Sequence, residues 1–109
     1  MSDLAVNFTI SQLLIVDMQI KLGAAMPAEA MKKVAKNCGI LVQAAQLLNI
    51  PLLATEQYPQ GLGETVPEIS QHFVNAKIIT KTAFSACKEP KFNQHLHRDK
   101  SQIVLAGME

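Results

Sequence analysis

Short, continuous apolar runs alternate along the chain with longer stretches whose apolar residues recur at helical spacing. Leu13-Leu14-Ile15-Val16 is the first run and Pro51-Leu52-Leu53-Ala54 the second. Lys77-Ile78-Ile79-Thr80 is the third, weaker but β-branched, and Ile103-Val104-Leu105-Ala106 the fourth. Continuous rather than alternating runs are expected of parallel strands covered on both faces. From about Pro27 to Leu48, the residues Met31, Val34, Ala35, Cys38, Leu41, Val42, Ala45 and Leu48 form one apolar stripe. Lys32, Lys33, Lys36, Gln43 and Gln46 lie mostly off it, which predicts a single long helix. Gly39 is its soft spot, costing ~1 kcal/mol relative to Ala. Thr65-Val66-Pro67-Glu68 has the form of a capping box with Pro in the first turn, and predicts a short helix burying Val66, Ile69 and Phe73. A last short helix starts near Pro90 and carries Phe92 and Leu96. The segment 56–63, with Pro59, Gly61 and Gly63, reads as an irregular loop after a strand end.

Strand–helix alternation with apolar strands implies an α/β fold, a three-layer sandwich around a mainly parallel sheet. Right-handed crossovers place every strand's carboxyl end on one edge, where ligands gather in such sheets. Asp17, Glu56 and Lys81 each follow a strand, so all three are expected at that edge. Asp17 is either a carboxylate poised for proton transfer or an organiser of a turn. Lys81 either reaches solvent or pairs with Asp17, holding it ionised and stabilising developing negative charge. Cys38 lies on the helix stripe and reads as packing, whereas Cys87, after Phe84-Ser85-Ala86, is either a reactive loop thiol or a small packed side chain. His95 and His97 are two apart and point to different faces of a helix, and His72 is isolated, so zinc-like spacing is absent. Gly61 and Gly63 do not open a helix after a strand as a phosphate-binding loop does. Neither a metal nor a cofactor is expected.

Composition narrows the classes. At 109 residues the chain is one domain or part of one, and 49% apolar content provides a core. Ten basic residues against nine acidic leave a net charge of +1, without a basic cluster, which argues against nucleic acid as partner. No run approaches the ~20 apolar residues that span a bilayer. Residues 1–7 lack the pattern of a signal peptide. Two cysteines make no disulfide framework, and a reducing, cytoplasmic setting is expected.

Several motifs in order carry a resemblance. Leu14-Ile15-Val16-Asp17-Met18-Gln19, Thr55-Glu56-Gln57-Tyr58-Pro59-Gln60-Gly61-Leu62-Gly63 with Thr65-Val66-Pro67-Glu68, Lys81-Thr82-Ala83-Phe84-Ser85, and Val104-Leu105-Ala106-Gly107-Met108-Glu109 together resemble the isochorismatase-like cysteine hydrolases. The resemblance runs from Gln12 onward and is closest to the isochorismatase-domain-containing branch. It implies a Rossmann-like sheet of order 3-2-1-4-5-6, of which this chain carries the first four strands. It also implies an Asp–Lys–Cys triad acting on a small amide-like or related substrate through a covalent intermediate. By motif position Asp17 is the acid/base and Lys81 its charged partner. Gln19, Tyr58 and Phe84 are placed against the substrate, Tyr58 and Phe84 being equally readable as packing. The family's nucleophilic cysteine lies four residues beyond the position matched by Glu109, so neither Cys38 nor Cys87 matches it. A cis peptide contributing to an oxyanion hole matches Met108–Glu109; with the following helix absent it is not expected to persist. Metal-binding relatives carry an Asp-x-His motif where this chain has Glu56-Gln57-Tyr58, which favours the metal-free branch. The chain is thus expected to be the amino-terminal part of one hydrolase domain, residues 1–109. The alternative is a non-catalytic α/β module that self-associates through an apolar edge at residues 103–106.

Overall fold

Four parallel strands set the frame. The computed structural model describes residues 5–74 and 76–108. The sheet has the order β3-β2-β1-β4, with β1 at Ser11–Val16, β2 at Leu52–Gln57, β3 at Lys77–Lys81 and β4 at Gln102–Gly107. All three pairings are parallel, with Leu14 against Leu53 on one side and Leu105 on the other. The helices are α1 (Ile20–Ala24), α2 (Ala28–Leu47), α3 (Pro59–Leu62), α4 (Pro67–Ser70) and α5 (Pro90–His95). The α/β sandwich expected from the apolar runs is the fold found.

The side-chain period of two divides each strand between two cores. Leu13, Ile15, Leu52 and Ala54 pack with Ala35, Cys38, Val42 and Ala45 of α2 and with Val66 and Ile69 around α4. Leu14, Leu53 and Ile79 face the other way, against Phe92 of α5. Each fully buried Leu, Ile or Phe contributes about 1.5–3 kcal/mol of transfer free energy. Central β1 begins with polar residues, and both are satisfied. The Ser11 hydroxyl donates to the Asn7 carbonyl at 2.6 Å, and the Gln12 amide pairs with the backbone of His97 through both its oxygen (3.0 Å) and its nitrogen (2.9 Å).

Helix α2 spans the predicted stretch, but its buried stripe is narrower than expected. Val34 and Leu41 remain 38% and 39% exposed, and Gly39 takes a buried place between them. A Cβ on Gly39 would lie 3.1 Å from the Glu68 carbonyl oxygen, so the glycine admits close approach of α4 rather than merely softening the helix. Asn49 ends α2 in the left-handed region (φ 57°), and the Ile50 N–H returns to the Ala45 carbonyl at 2.7 Å. That is a Schellman stop with Asn in the left-handed position.

Two local expectations are corrected. The segment 56–63 is not an irregular loop: β2 runs through Glu56 and Gln57, and α3 follows at once. Thr65 does not close a capping box, because its N–H and its hydroxyl both donate to Glu56 Oε2 at 2.8 Å, leaving Val66 as the residue before α4. On β4, Val104 and Ala106 join the α2 core, whereas Ile103 and Leu105 lie on the α5 face and are 44% and 67% exposed. Among the described residues no helix is long and apolar enough to cross a membrane.

Candidate active site

The carboxyl edge of the sheet brings Asp17 and Lys81 together. Asp17 follows β1 directly and takes a left-handed backbone (φ 53°), which Asp tolerates better than most residues. Its N–H still extends the ladder to the Thr55 carbonyl at 3.1 Å. Lys81 ends β3 on the face of Ile79. The two meet across β2: Lys81 Nζ lies 2.8 Å from Asp17 Oδ2, both side chains being sealed from solvent.

Buried charges of this kind need every polar atom served. Thr55, on the intervening strand, donates its hydroxyl to Asp17 Oδ1 at 2.9 Å. Lys81 Nζ also donates to Gln57 Oε1 at 2.8 Å, to the Phe84 carbonyl at 2.7 Å and, more distantly, to the Ala83 carbonyl at 3.3 Å. Three short acceptors match the three protons of an ammonium, so Lys81 has no donor to spare for a small molecule. Its effect on a bound group runs through Asp17. The carboxylate, by contrast, retains lone pairs on both oxygens after accepting from Lys81 and Thr55.

Glu56 does not join them. It alternates to the α2 face of the sheet, where it is buried and accepts from Thr65. All three ionisable residues lie at the carboxyl edge, as expected, but the strand period divides them between its two faces: Thr55 and Gln57, on either side of Glu56, face the ion pair. Neither was singled out from the sequence. The signal was present in the alternation Ala54-Thr55-Glu56-Gln57, given that Ala54 faces the long helix.

Gln19 is fully buried. Its amide nitrogen donates to the carbonyls of Gln57 (2.8 Å) and Gly63 (2.7 Å), and its oxygen accepts the Gln57 N–H at 2.6 Å. Every one of those bonds is to backbone. Tyr58 and Phe84 are 55% and 71% exposed, the Phe84 ring centroid lying 5.9 Å from Lys81 Nζ. Tyr58 holds φ 37°, an outlier for a bulky residue, and its ring covers Gly61. Met108 donates its N–H to the Val16 carbonyl at 3.1 Å, beside Asp17. Its expected cis-peptide partner, Glu109, lies outside the described residues. Cys87 is exposed and Cys38 buried, and burial pushes the Cys38 thiol above its ordinary range.

Two surface cavities lie away from the pair. One, about 870 Å³, runs between α1, α2 and α4 past Ile20, Met31, Ile40 and Val66; the other, about 890 Å³, is at the opposite, amino-terminal edge of the sheet. Neither is lined by Asp17 or Lys81. Among the described residues no group of three His, Cys, Asp or Glu side chains is placed to hold a metal ion.

The site is thus a sealed Asp–Lys pair at the carboxyl edge of a parallel α/β sandwich. The isochorismatase domain model matches residues 11–109, and the chain belongs to that family. It is 40% identical over 100 residues to isochorismatase domain-containing protein 2 of Danio rerio, covering 91% of this chain and 49% of that relative. The Xenopus laevis protein of the same name is 42% identical over 71 residues, covering 63% of this chain and 33% of that protein. The chain thus spans about half the length, or less, of the curated relatives it matches. Among solved structures, the MAR1 ribonuclease of Caenorhabditis elegans superposes with a TM-score of 0.81 at 35% identity, covering 95% of this chain and 53% of that one. The YcaC gene product of Escherichia coli, described as an octameric hydrolase of unknown specificity, shares the fold at a TM-score of 0.81 and 24% identity, covering 96% and 53%.

Proposed function

We propose that this chain is the amino-terminal part of a single cysteine hydrolase domain, and that Asp17 is its acid/base. Lys81 holds Asp17 oriented, and a thiol supplied from beyond position 109 serves as nucleophile. The observation that carries the reading is the sealed Lys81–Asp17 pair at 2.8 Å, with Thr55 on the second carboxylate oxygen. A carboxylate closed to bulk water suits a proton donor delivered by the protein itself, such as a thiol, better than a free water. Asp17 would take the S–H proton, the thiolate would attack the carbonyl carbon of a small amide, and the leaving amine would recover the proton. Water would then release the acyl group from sulfur. The exposed rings of Tyr58 and Phe84 suit the rim of a pocket for a small molecule.

The net charge of +1 favours such a substrate over an RNA backbone, although the C. elegans neighbour is named a ribonuclease. A cytoplasmic setting and association with further copies belong to the same proposal. The octameric assembly of the E. coli neighbour supports the association.

The test has two arms. The 109-residue chain alone is expected to give no thiol-dependent turnover of small amides; activity abolished by Cys87→Ser would contradict this. A fusion of residues 1–109 to the remaining carboxyl-terminal part of the D. rerio relative is expected to hydrolyse at least one of a set of small primary and secondary amides. There Asp17→Asn should lower kcat/KM by ~100-fold or more, and an unchanged value would overturn the role of Asp17.

A further inference from the structure

We infer that Gln19 and Gln57 form a two-amide relay that fixes the Lys81 ammonium in place. Both act as positioning residues for the charge that faces Asp17. The inference deepens the proposed function and rests on it only for its catalytic meaning, since the relay itself is a matter of geometry.

Gln57 can present only one end of its amide to the lysine. Its Nε2 donates to the Thr82 carbonyl at 2.8 Å, which leaves Oε1 to accept from Lys81 Nζ at 2.8 Å. A flipped amide would set NH₂ against the ammonium and oxygen against the Thr82 carbonyl, two repulsions in place of two bonds. The backbone of Gln57 is fixed just as fully. Gln19 reads both its N–H and its carbonyl, at 2.6 and 2.8 Å, in the manner of a strand neighbour, and ties the same amide to Gly63 at 2.7 Å.

Gln19 stands two residues after Asp17, and its N–H donates to the Asp17 carbonyl at 2.9 Å. The turn that carries the carboxylate therefore also holds the residue that aims the lysine's acceptor. Both members of the ion pair are indexed to one short segment, and the 58–63 stretch bearing Tyr58 is attached to it through Gly63. Displacement of that stretch would be transmitted to the ammonium through Gln57. Lys81 is then held by three short hydrogen bonds, donated to Asp17, to Gln57 and to the Phe84 carbonyl.

The readout is nitrogen-15 NMR of lysine side-chain ammonium groups near neutral pH. A buried, triply bonded Lys81 is expected to give a slowly exchanging signal, with scalar couplings across its hydrogen bonds to Gln57 Cδ and to the Phe84 carbonyl carbon. Gln57→Met, similar in shape but lacking the acceptor, should speed Lys81 proton exchange by ~10-fold or more, whereas Gln57→Glu, which keeps an acceptor, should preserve the signal. Gln19→Glu, which removes both donated bonds without touching the lysine, should loosen it in the same direction. Ile40→Ala, at a distant exposed site, should leave it unchanged. Absence of the signal or of the Gln57 coupling from the folded wild-type protein overturns the relay. So does a signal unmoved by Gln57→Met or Gln19→Glu in variants whose amide spectra remain folded. None of these readings needs turnover, so failure to find a hydrolysed substrate would bear on the proposed function and leave the relay standing.

Discussion

Lys81 and Asp17 each lack water and depend on the other, which sets what their removal should do. Lys81→Met leaves an unpaired buried carboxylate and is expected to cost about 3–5 kcal/mol in urea unfolding. The double variant Asp17→Leu/Lys81→Met should lose clearly less than the sum of the two single losses, since it removes both charges. Thr55→Val should cost about 1.5–3 kcal/mol for one hydrogen bond to a charged group, measured the same way. The cysteines separate by exposure. At pH 8 iodoacetamide should label Cys87 in the native protein and spare Cys38 until urea is added, as mass spectrometry of the peptides would show. Because burial raises the Cys38 thiol above its ordinary 9.0, the native state holds a proton that the unfolded chain releases, so its contribution to stability declines as pH rises past that value. Asp17 and Lys81 were legible in the sequence because each directly follows an apolar run. Thr55, Gln57 and the backbone bonds of Gln19 were not, since the alternation through Ala54-Thr55-Glu56-Gln57 sorts these residues between faces only once Ala54 is known to face the long helix.

At the scale of elements, the strands and the long helix could be read because apolar runs and helical spacing are summed over many residues. The short pieces could not. Thr65-Val66-Pro67-Glu68 satisfies the pattern of a capping box, yet a buried Glu56 carboxylate outcompetes the helix for the threonine. Tertiary contact overrode a local motif there. Gly39 has a second role that only tertiary contact shows: it admits the approach of α4, so Gly39→Ala should not yield the full ~1 kcal/mol that helix propensity alone offers. Gly107 is the sharper case. Its φ is 142°, and a Cβ there would fall 2.1 Å from the Val16 carbonyl oxygen, the residue before Asp17. Gly107→Ala is expected to destabilise by roughly 3 kcal/mol in denaturant unfolding, from strain and backbone displacement together.

For the whole molecule, the predicted order of the first four strands, 3-2-1-4, is the order observed, with β4 at one edge of the sheet. That edge presents Gln102-Ile103-Val104-Leu105-Ala106-Gly107, without a charge or a proline to blunt it, and half of its apolar residues lack a covering layer. Light scattering should therefore find the 109-residue chain associated at high concentration, and Leu105→Lys should shift it toward the monomer. The central claim concerns proton transfer, and it can be tested before any substrate is known. The fusion of residues 1–109 to the carboxyl-terminal part of the D. rerio relative, carrying Cys87→Ser to remove the exposed thiol, should react with acrylamide at a cysteine beyond position 109, followed at pH 7 by peptide mass. The account predicts that Asp17→Asn slows this alkylation by ~100-fold or more. Equal rates in the two proteins would contradict it.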